Sequence, residues 1–376
     1  MNYLIACGGT SGHINPAIAI ADELRRRDPD AKFIFIGMKR NLESELVPRA
    51  GYEIRFIETS GLSRDKSFAG VRHNVRMVKK FLDSKRAVKH IINEFHPDAA
   101  IGTGGYVSAP VIRAACERHI PTVIHEQNAF AGVTTKMLAG KVDRILLSFK
   151  LAKPIKGVEK KTRLVGNPVR RAFLELDRKT ARAELGIPEN ERVVLSCGGS
   201  LGATKLNEAF VGFAKKVAAD GTMSLYHGAS RDYKTVCDEL DDVENKDKIH
   251  VFEYIYNMPQ LMAAADLIVS RSGATSLTEI SALGRASILV PSPNVTENHQ
   301  YFNAKTFSDA GAAVLLEEKD LSPESLYDAV NDVIFNTDKL NAMERAAKSL
   351  FNERSVSDIV DEIFAVAKKN NALSLI

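Results

Sequence analysis

The chain predicts an α/β protein built from two Rossmann-like, doubly wound parallel-sheet domains whose strand ends face a cleft. Three observations carry this expectation. Short apolar runs alternate with helix-like stretches, the pattern of a parallel sheet covered on both faces. The motif Cys-Gly-Gly-(Thr/Ser)-x-Gly occurs twice, at residues 7–12 and 197–202. The length of 376 residues suits two domains of ordinary size.

In the first half, strands are expected at residues 3–6, 32–36, 54–57, 99–101, 122–125 and 144–147. Helices are expected at 16–27, 42–50 and 108–118, with Gly51, Pro97 and Pro121 as breakers between elements. A basic, polar stretch after Leu151 reads as the interdomain linker. The second half restarts with strands expected at 192–196, 223–227, 249–252, 267–270, 287–290 and 313–316. The expected domains are 1–164 and 165–349, with a last helix within 350–376 packing back on the first.

Hydrophobic residues at 45% and charged residues at 26% fit an ordinary globular protein, and a net charge of +4 is too small to imply nucleic acid. No apolar run approaches the length of a bilayer span, and the first strand follows Met1 without a basic, cleavable leader. A cytoplasmic protein is expected. Cys7, Cys116, Cys197 and Cys237 are too scattered for a disulfide framework or a zinc ribbon. Cys7 and Cys197 read as small buried hydrophobes at strand ends.

Each Cys-Gly-Gly turn sits between a strand and a helix, where glycine lets backbone approach a phosphate and the helix N-terminus attracts it. The first turn continues to His13 and Pro16, so Pro16 is expected in the first helical turn and His13 on the loop before it. His13 reads as a general base or as a histidine that orients backbone. The stretch Gly102-Thr103-Gly104-Gly105-Tyr106 is either a second diphosphate cradle or a tight turn for close packing. His125-Glu126-Gln127-Asn128 closes a strand; Glu126 or Asn128 faces the cleft, or the four order the hinge. Ser272 to Ser276 opens a helix as an anion site, and Glu279 on that helix suits a ribose diol. Asn298, His299, Gln300 and Asn303 suit a sugar's hydroxyls, with Tyr301 and Phe302 as core. Residues 64–92 are basic and amphipathic: a lipid-docking surface, or a helix with an apolar stripe turned inward. Asp28-Pro29-Asp30 has metal-transferase spacing but lies in a turn at the wrong sheet position. No Gly-x-Gly-x-x-Gly fingerprint with a following acid, Walker lysine loop or Gly-x-Ser-x-Gly elbow occurs.

Together the motifs resemble glycosyltransferase family 28, in its branch that completes the lipid-linked peptidoglycan precursor. They are Gly8-Gly9-Thr10-Ser11-Gly12-His13, Gly104-Gly105-Tyr106-Val107-Ser108, His125-Glu126-Gln127-Asn128, Gly166-Asn167-Pro168-Val169-Arg170, Gly198-Gly199-Ser200-Leu201-Gly202-Ala203, and Arg271-Ser272-Gly273-Ala274 through Glu279. They run in the family's order over nearly the whole chain. The resemblance implies a GT-B fold and an inverting, metal-independent hexosyltransferase with no cofactor. It would move N-acetylglucosamine from UDP-GlcNAc to the C4 hydroxyl of undecaprenyl-linked lipid I, giving lipid II for cell-wall growth, cell shape and division.

By the same resemblance, the C-terminal domain would bind the donor. Ser200, Ser272, Gly273, Ala274 and Thr275 would hold its diphosphate, Glu279 its ribose, backbone at Ile255 its uracil, and His299 or Gln300 its sugar. Thr10, Ser11, Gly12, Asn128 and Arg170 would complete the donor site from the first domain and hinge. Gly9, Gly104, Gly105 and Tyr106 would hold the acceptor diphosphate, and His13, with Glu126 second, would be the base. The basic segment would meet an anionic membrane at its cytoplasmic face, bringing the chain among cell-wall synthesis and division proteins. Ser11 stands where the family often has glycine. Three other readings compete: a glycosyltransferase for another lipid acceptor, a UDP-GlcNAc 2-epimerase, and a nucleotide-sugar sensor without turnover.

Overall fold

A computed structural model describes residues 1–58, 83–199, 202–295 and 298–373, with side chains of the last helix through Lys368. The chain divides into two compact units, Met1–Arg170 with Arg354–Ile376, and Arg171–Glu353.

The first unit holds strands β1 (Asn2–Ala6), β2 (Lys32–Gly37), β3 (Glu53–Phe56), β4 (Ala99–Gly102), β5 (Thr122–Glu126), β6 (Arg144–Leu147) and β7 (Thr162–Leu164). Its helices are α1 (Ser11–Arg27), α2 (Glu43–Arg49), α3 (83–95), α4 (Ser108–Cys116) and α5 (Val133–Leu138), with a final helix (Ser355–Leu373) returning to it. The strands form one parallel sheet in the order β3-β2-β1-β4-β5-β6-β7. Successive side chains of a strand point to opposite faces. Tyr3, Ile5 and Cys7 therefore join Ile14, Ile18 and Leu24 of α1 and Ile359, Val360 and Ile363 of the final helix. Leu4 and Ala6 join Val88, Ile91 and Ile92 of α3 and Val111 and Ile112 of α4 on the other face. Each such fully buried aliphatic side chain contributes about 1.5–3 kcal/mol over exposure.

The second unit begins with α6 (Ala172–Glu175) and α7 (Arg178–Leu185). Its strands are β8 (Val193–Cys197), β9 (Ser224–Gly228), β10 (Ile249–Phe252), β11 (Leu267–Ser270), β12 (Ala286–Leu289) and β13 (Ala313–Leu315). Between and after them run α8 (Thr204–Asp220), α9 (Tyr233–Leu240), α10 (Met258–Ala264), α11 (Ala274–Leu283), α12 (His299–Asp309), α13 (Pro323–Ile334) and α14 (Thr337–Ser349); the returning helix is α15. This sheet is also parallel, in the order β10-β9-β8-β11-β12-β13. Chain order reverses between β1 and β4 in one sheet and between β8 and β11 in the other. Ligands of doubly wound sheets bind outside the strand carboxyl ends at such switch points. Both glycine turns stand there.

Three expectations change, and one left open is decided over its described part. First, α1 starts at Ser11, so His13 lies within its first turn and Pro16 inside it. The Thr10 carbonyl already accepts the N–H groups of His13 and Ile14, which starts the helix before the proline. Second, the basic stretch after Leu151 ends in β7, whose register on β6 makes it the sheet's edge. Third, on α12 the buried residues are Asn303, Ala304 and Phe307, while Phe302 is exposed. Of the two readings of the basic segment, the inward apolar stripe holds over the described part: Val88, Ile91 and Ile92 face the core, and Lys85 and Lys89 pair with Glu117. Residues 64–82 of that segment lie outside the described residues.

Candidate functional site

In the first unit, the chemistry gathers around the turn after β1. Thr10 has extended backbone and precedes α1. Ser11, Gly12 and His13 then form the first helical turn. His13 is half-buried, and its Nδ1 lies 3.1 Å from the Gly8 carbonyl oxygen and 3.5 Å from Thr10 Oγ1. A carbonyl oxygen only accepts, so Nδ1–H donates and Nε2 keeps its lone pair. Burial pushes the imidazole pKa below its ordinary value, opposed by the Gly8 hydrogen bond, Glu126 and Glu43. A neutral ring with a bare Nε2 is the form a general base requires.

The turn after β4 packs directly on this ring. A Cβ at Gly104 would fall 2.5 Å from His13 Cδ2, and one at Gly105 2.3 Å from the Gly8 oxygen. Both glycines have positive φ, so neither bulk nor backbone conformation admits another residue. The Thr103 hydroxyl donates to the His13 carbonyl at 2.7 Å. Gly104 N–H donates to Ser108 Oγ and Gly9 N–H to Glu43. These two N–H groups are engaged within the unit, so Gly9 and Gly104 shape the turns instead of offering donors to a phosphate. Gly105 and exposed Tyr106 form the outer part of the second turn.

The residues closing β5 mostly turn inward. Glu126 is buried, and its two oxygens accept from Asn128 N–H (3.1 Å), Asn128 Nδ2 (3.3 Å), Gly132 N–H (2.8 Å) and Thr135 Oγ1 (2.6 Å). That carboxylate orders the loop into α5 and has little capacity left to take a proton from substrate. His125 Nε2–H donates to the Gly166 carbonyl at 3.0 Å, and its Nδ1 accepts from Gln127 Nε2 at 3.0 Å. Burial lowers the His125 pKa to about 4. This neutral histidine fixes the Gly166–Asn167 turn, a few residues before Arg170, which is half-buried and within electrostatic reach of Asp22.

In the second unit, Gly199 and Gly202 have positive φ and close the turn after β8 through Gly202 N–H to Gly199 O at 3.0 Å. Ser200 lies outside the described residues. The start of α8 is clamped from the side. Thr204 Oγ1 and Asn207 Nδ2 both donate to Asp232 Oδ2, at 2.9 and 3.0 Å, and Nδ2 also meets the Ala229 carbonyl at 3.0 Å. His227 Nε2–H then donates to Asn207 Oδ1 at 3.0 Å, with its ring stacked on Phe210 at 3.8 Å. Ile255 is buried and packs toward Gly228.

Gly273 caps α11, followed by Ala274 and Thr275. Glu279 is buried in the second turn, close enough to Cys197 to raise its thiol, which burial mainly pushes up to about 11. Ser272 and the start of α12 are brought together. Ser272 Oγ donates to the Gln300 carbonyl (2.7 Å), Asn303 Nδ2 donates to the Ser272 carbonyl (3.1 Å), and Gln300 Oε1 accepts Ser292 N–H (2.9 Å). His299 opens α12. Arg271 ties these loops down through the Val290 and Pro291 carbonyls and Glu318.

Sequence reasoning missed Glu43, the His227–Asn207–Asp232 clamp and the Arg271–Glu318 pair. Apart from Arg271, these residues belong to no sequence motif, and only their contacts in the fold mark them. Among the described residues, no group of three His, Cys, Asp or Glu side chains can hold a metal ion, and no helix is long and apolar enough to cross a membrane.

Residues 3–147 match the glycosyltransferase family 28 N-terminal domain, and residues 193–363 match the family's C-terminal domain. The UDP-N-acetylglucosamine–N-acetylmuramyl-(pentapeptide) pyrophosphoryl-undecaprenol N-acetylglucosamine transferase of Acetivibrio thermocellus is 39% identical over 376 residues, 99% of this chain and all of the relative. Among solved structures, Acinetobacter baumannii MurG superposes with a TM-score of 0.69 at 25% identity, covering 97% of this chain and 99% of that one. A UDP-GlcNAc 2-epimerase from Neisseria meningitidis, bound to UDP-GlcNAc, shares the fold with a TM-score of 0.67 at 15% identity, covering 97% of this chain and all of that one.

Proposed function

The chain belongs to glycosyltransferase family 28, and on that premise we propose how its residues divide the work of an N-acetylglucosaminyltransferase. The reaction moves N-acetylglucosamine from UDP-GlcNAc to the lipid-linked MurNAc-pentapeptide, giving lipid II. A nucleotide-sugar donor and a lipid-linked acceptor are its partners.

In our reading the second unit binds the donor. Ser200, Ser272 and the start of α11 receive the diphosphate, Glu279 the ribose hydroxyls, backbone at Ile255 the uracil, and His299 or Gln300 the sugar. The first unit binds the acceptor, with Gly105 and Tyr106 toward its diphosphate. Thr10, Ser11, Gly12, Asn128 and Arg170 serve the donor from this unit. His13 Nε2 takes the proton of the C4 hydroxyl as that oxygen attacks the anomeric carbon and UDP departs from the opposite side. Glu126 shapes the loop beside it. Charge developing on UDP is met by preset backbone donors and hydroxyls, which stabilise it without reorganising during the reaction. The chain would work at the cytoplasmic face of an anionic membrane, beside proteins of cell-wall synthesis and division.

One observation carries this reading: each unit sets a glycine turn at the switch point of its parallel sheet, and the first of these turns holds a histidine with a bare Nε2. The test is incubation with UDP-GlcNAc and lipid I, with and without EDTA. The disaccharide lipid should form at equal rates. Product that appears only with added divalent cation, or UDP-sugar epimerised without acceptor, would overturn it.

A further inference from the structure

Gly8 lies in the turn after β1 and Gly37 ends β2, and neither has the positive φ that demands glycine. The Glu43 side chain crowds both positions, joined at Gly37 by Ile54 Cδ1 at 2.9 Å. A Cβ at Gly8 would lie 2.6 Å from Glu43 Oε1, and a Cβ at Gly37 would lie 2.5 Å from Glu43 Cγ. Glu43 opens α2 and is fully buried. Its Oε2 accepts the N–H of Gly9 at 3.0 Å, and its Oε1 accepts the N–H of Met38 at 3.0 Å and Asn41 Nδ2 at 3.4 Å. The donors that meet it are two backbone N–H groups and one side-chain amide, and these hydrogen bonds offset the cost of burying the carboxylate.

The bond from Gly9 leads on to His13. Gly9 N–H and Gly8 C=O belong to the same peptide group. One end of that group donates to Glu43, and the other accepts Nδ1–H of His13 at 3.1 Å. A carboxylate that draws on the N–H makes the carbonyl oxygen of the same amide more negative, because hydrogen bonds in series polarise one another.

We propose that Glu43 is the positioning carboxylate of His13, acting through the Gly8–Gly9 peptide. The relay fixes the Nδ1–H tautomer and steadies the imidazolium that forms when Nε2 takes a proton. No proton moves along it; the peptide group only transmits polarisation. Two carboxylates face the ring electrostatically, Glu43 from α2 and Glu126 from β5, while the turn after β4 presents Gly104 backbone. Glu126 spends its oxygens on its own loop and lacks this route. The inference rests on His13 being the base.

The experiment compares wild type, Glu43→Gln, Glu43→Asp and His13→Ala in the lipid I assay across pH, with UDP binding as a check on folding. Glu43→Gln should lower kcat by at least about tenfold, leave KM for UDP-GlcNAc within about twofold, and move the acid limb of the kcat/KM profile to lower pH. Glu43→Asp, which keeps the charge, should leave that limb in place. A folded Glu43→Gln enzyme whose profile overlays that of wild type overturns the relay and leaves Glu43 a structural clamp. Full kcat in His13→Ala instead removes the base, a separate failure. Should Glu43→Gln not fold, nitrogen NMR of the wild-type protein decides. The Nδ1–H tautomer at His13, with the Gly9 amide proton titrating alongside the ring, supports the relay; the Nε2–H tautomer, or a Gly9 amide indifferent to the ring, defeats it.

Discussion

At the residue scale, the His13 environment makes a statement about pH. Burial disfavours the imidazolium more than the Gly8 carbonyl, Glu126 and Glu43 favour it, so the ring titrates below the ordinary imidazole value of about 6.5. A base works only when unprotonated. The kcat/KM of the enzyme should therefore be flat through neutrality and fall on acidification, with an apparent pKa below that value. His13→Ala should lose at least about a hundredfold in kcat and the acid limb with it. A pH–rate profile whose acid limb survives in His13→Ala would assign that limb to another group. The histidine itself was legible in the sequence, because it follows a glycine turn at a strand end. Glu43 was not. Its value comes from N–H groups brought from the turn after β1 and the loop after β2, and residue type does not encode a backbone donor. Nor did Glu126 declare its loop-holding role, since Gly132 and Thr135 reach it only once the chain has turned into α5.

At the scale of elements, the strands were the most legible part. Runs such as Tyr3 to Ala6 and Leu267 to Val269 are apolar throughout because both sheet faces are covered, and glycine marks where several of them stop. Helix starts were harder. Pro16 fits a first turn, yet the backbone tolerates it five residues into α1. Strand β7 was hidden because an edge strand of three residues with an exposed leucine carries no buried pattern. Two buried histidines couple these elements to acid stability. His125 pins the end of β5 to the Gly166 turn and titrates at about 4; His227 pins β9 to α8 and titrates at about 3, burial being the main cause for both. In the unfolded chain each titrates near 6.5, so the unfolded state binds more protons below that pH. Their contribution is complete above about pH 6.5 and is lost as pH falls toward the folded values. The midpoint of thermal unfolding should decline across that window, and less steeply in His227→Gln, where an amide can still donate to Asn207. A variant with an undiminished slope would show that His227 does not titrate on unfolding.

At the scale of the whole molecule, the repeated glycine turn was readable because each copy needs the same backbone next to the same kind of strand end. What each copy holds is a question of chemistry, and it can be separated by kinetics. The two units are compact bodies with separate cores. His13 belongs to the first and Glu279 to the second. If Glu279 binds the donor ribose in ground state and transition state alike, Glu279→Gln should raise KM for UDP-GlcNAc and weaken UDP binding, about tenfold, with kcat little changed. His13→Ala should do the reverse, because a proton leaves the hydroxyl only as the bond forms. The two losses in kcat/KM should then add on a free-energy scale to within about 0.5 kcal/mol in the double variant, as they do for residues that share no partner. If His13→Ala weakens UDP binding as much as Glu279→Gln does, the histidine serves the donor, and the division of donor and acceptor between the units must be redrawn.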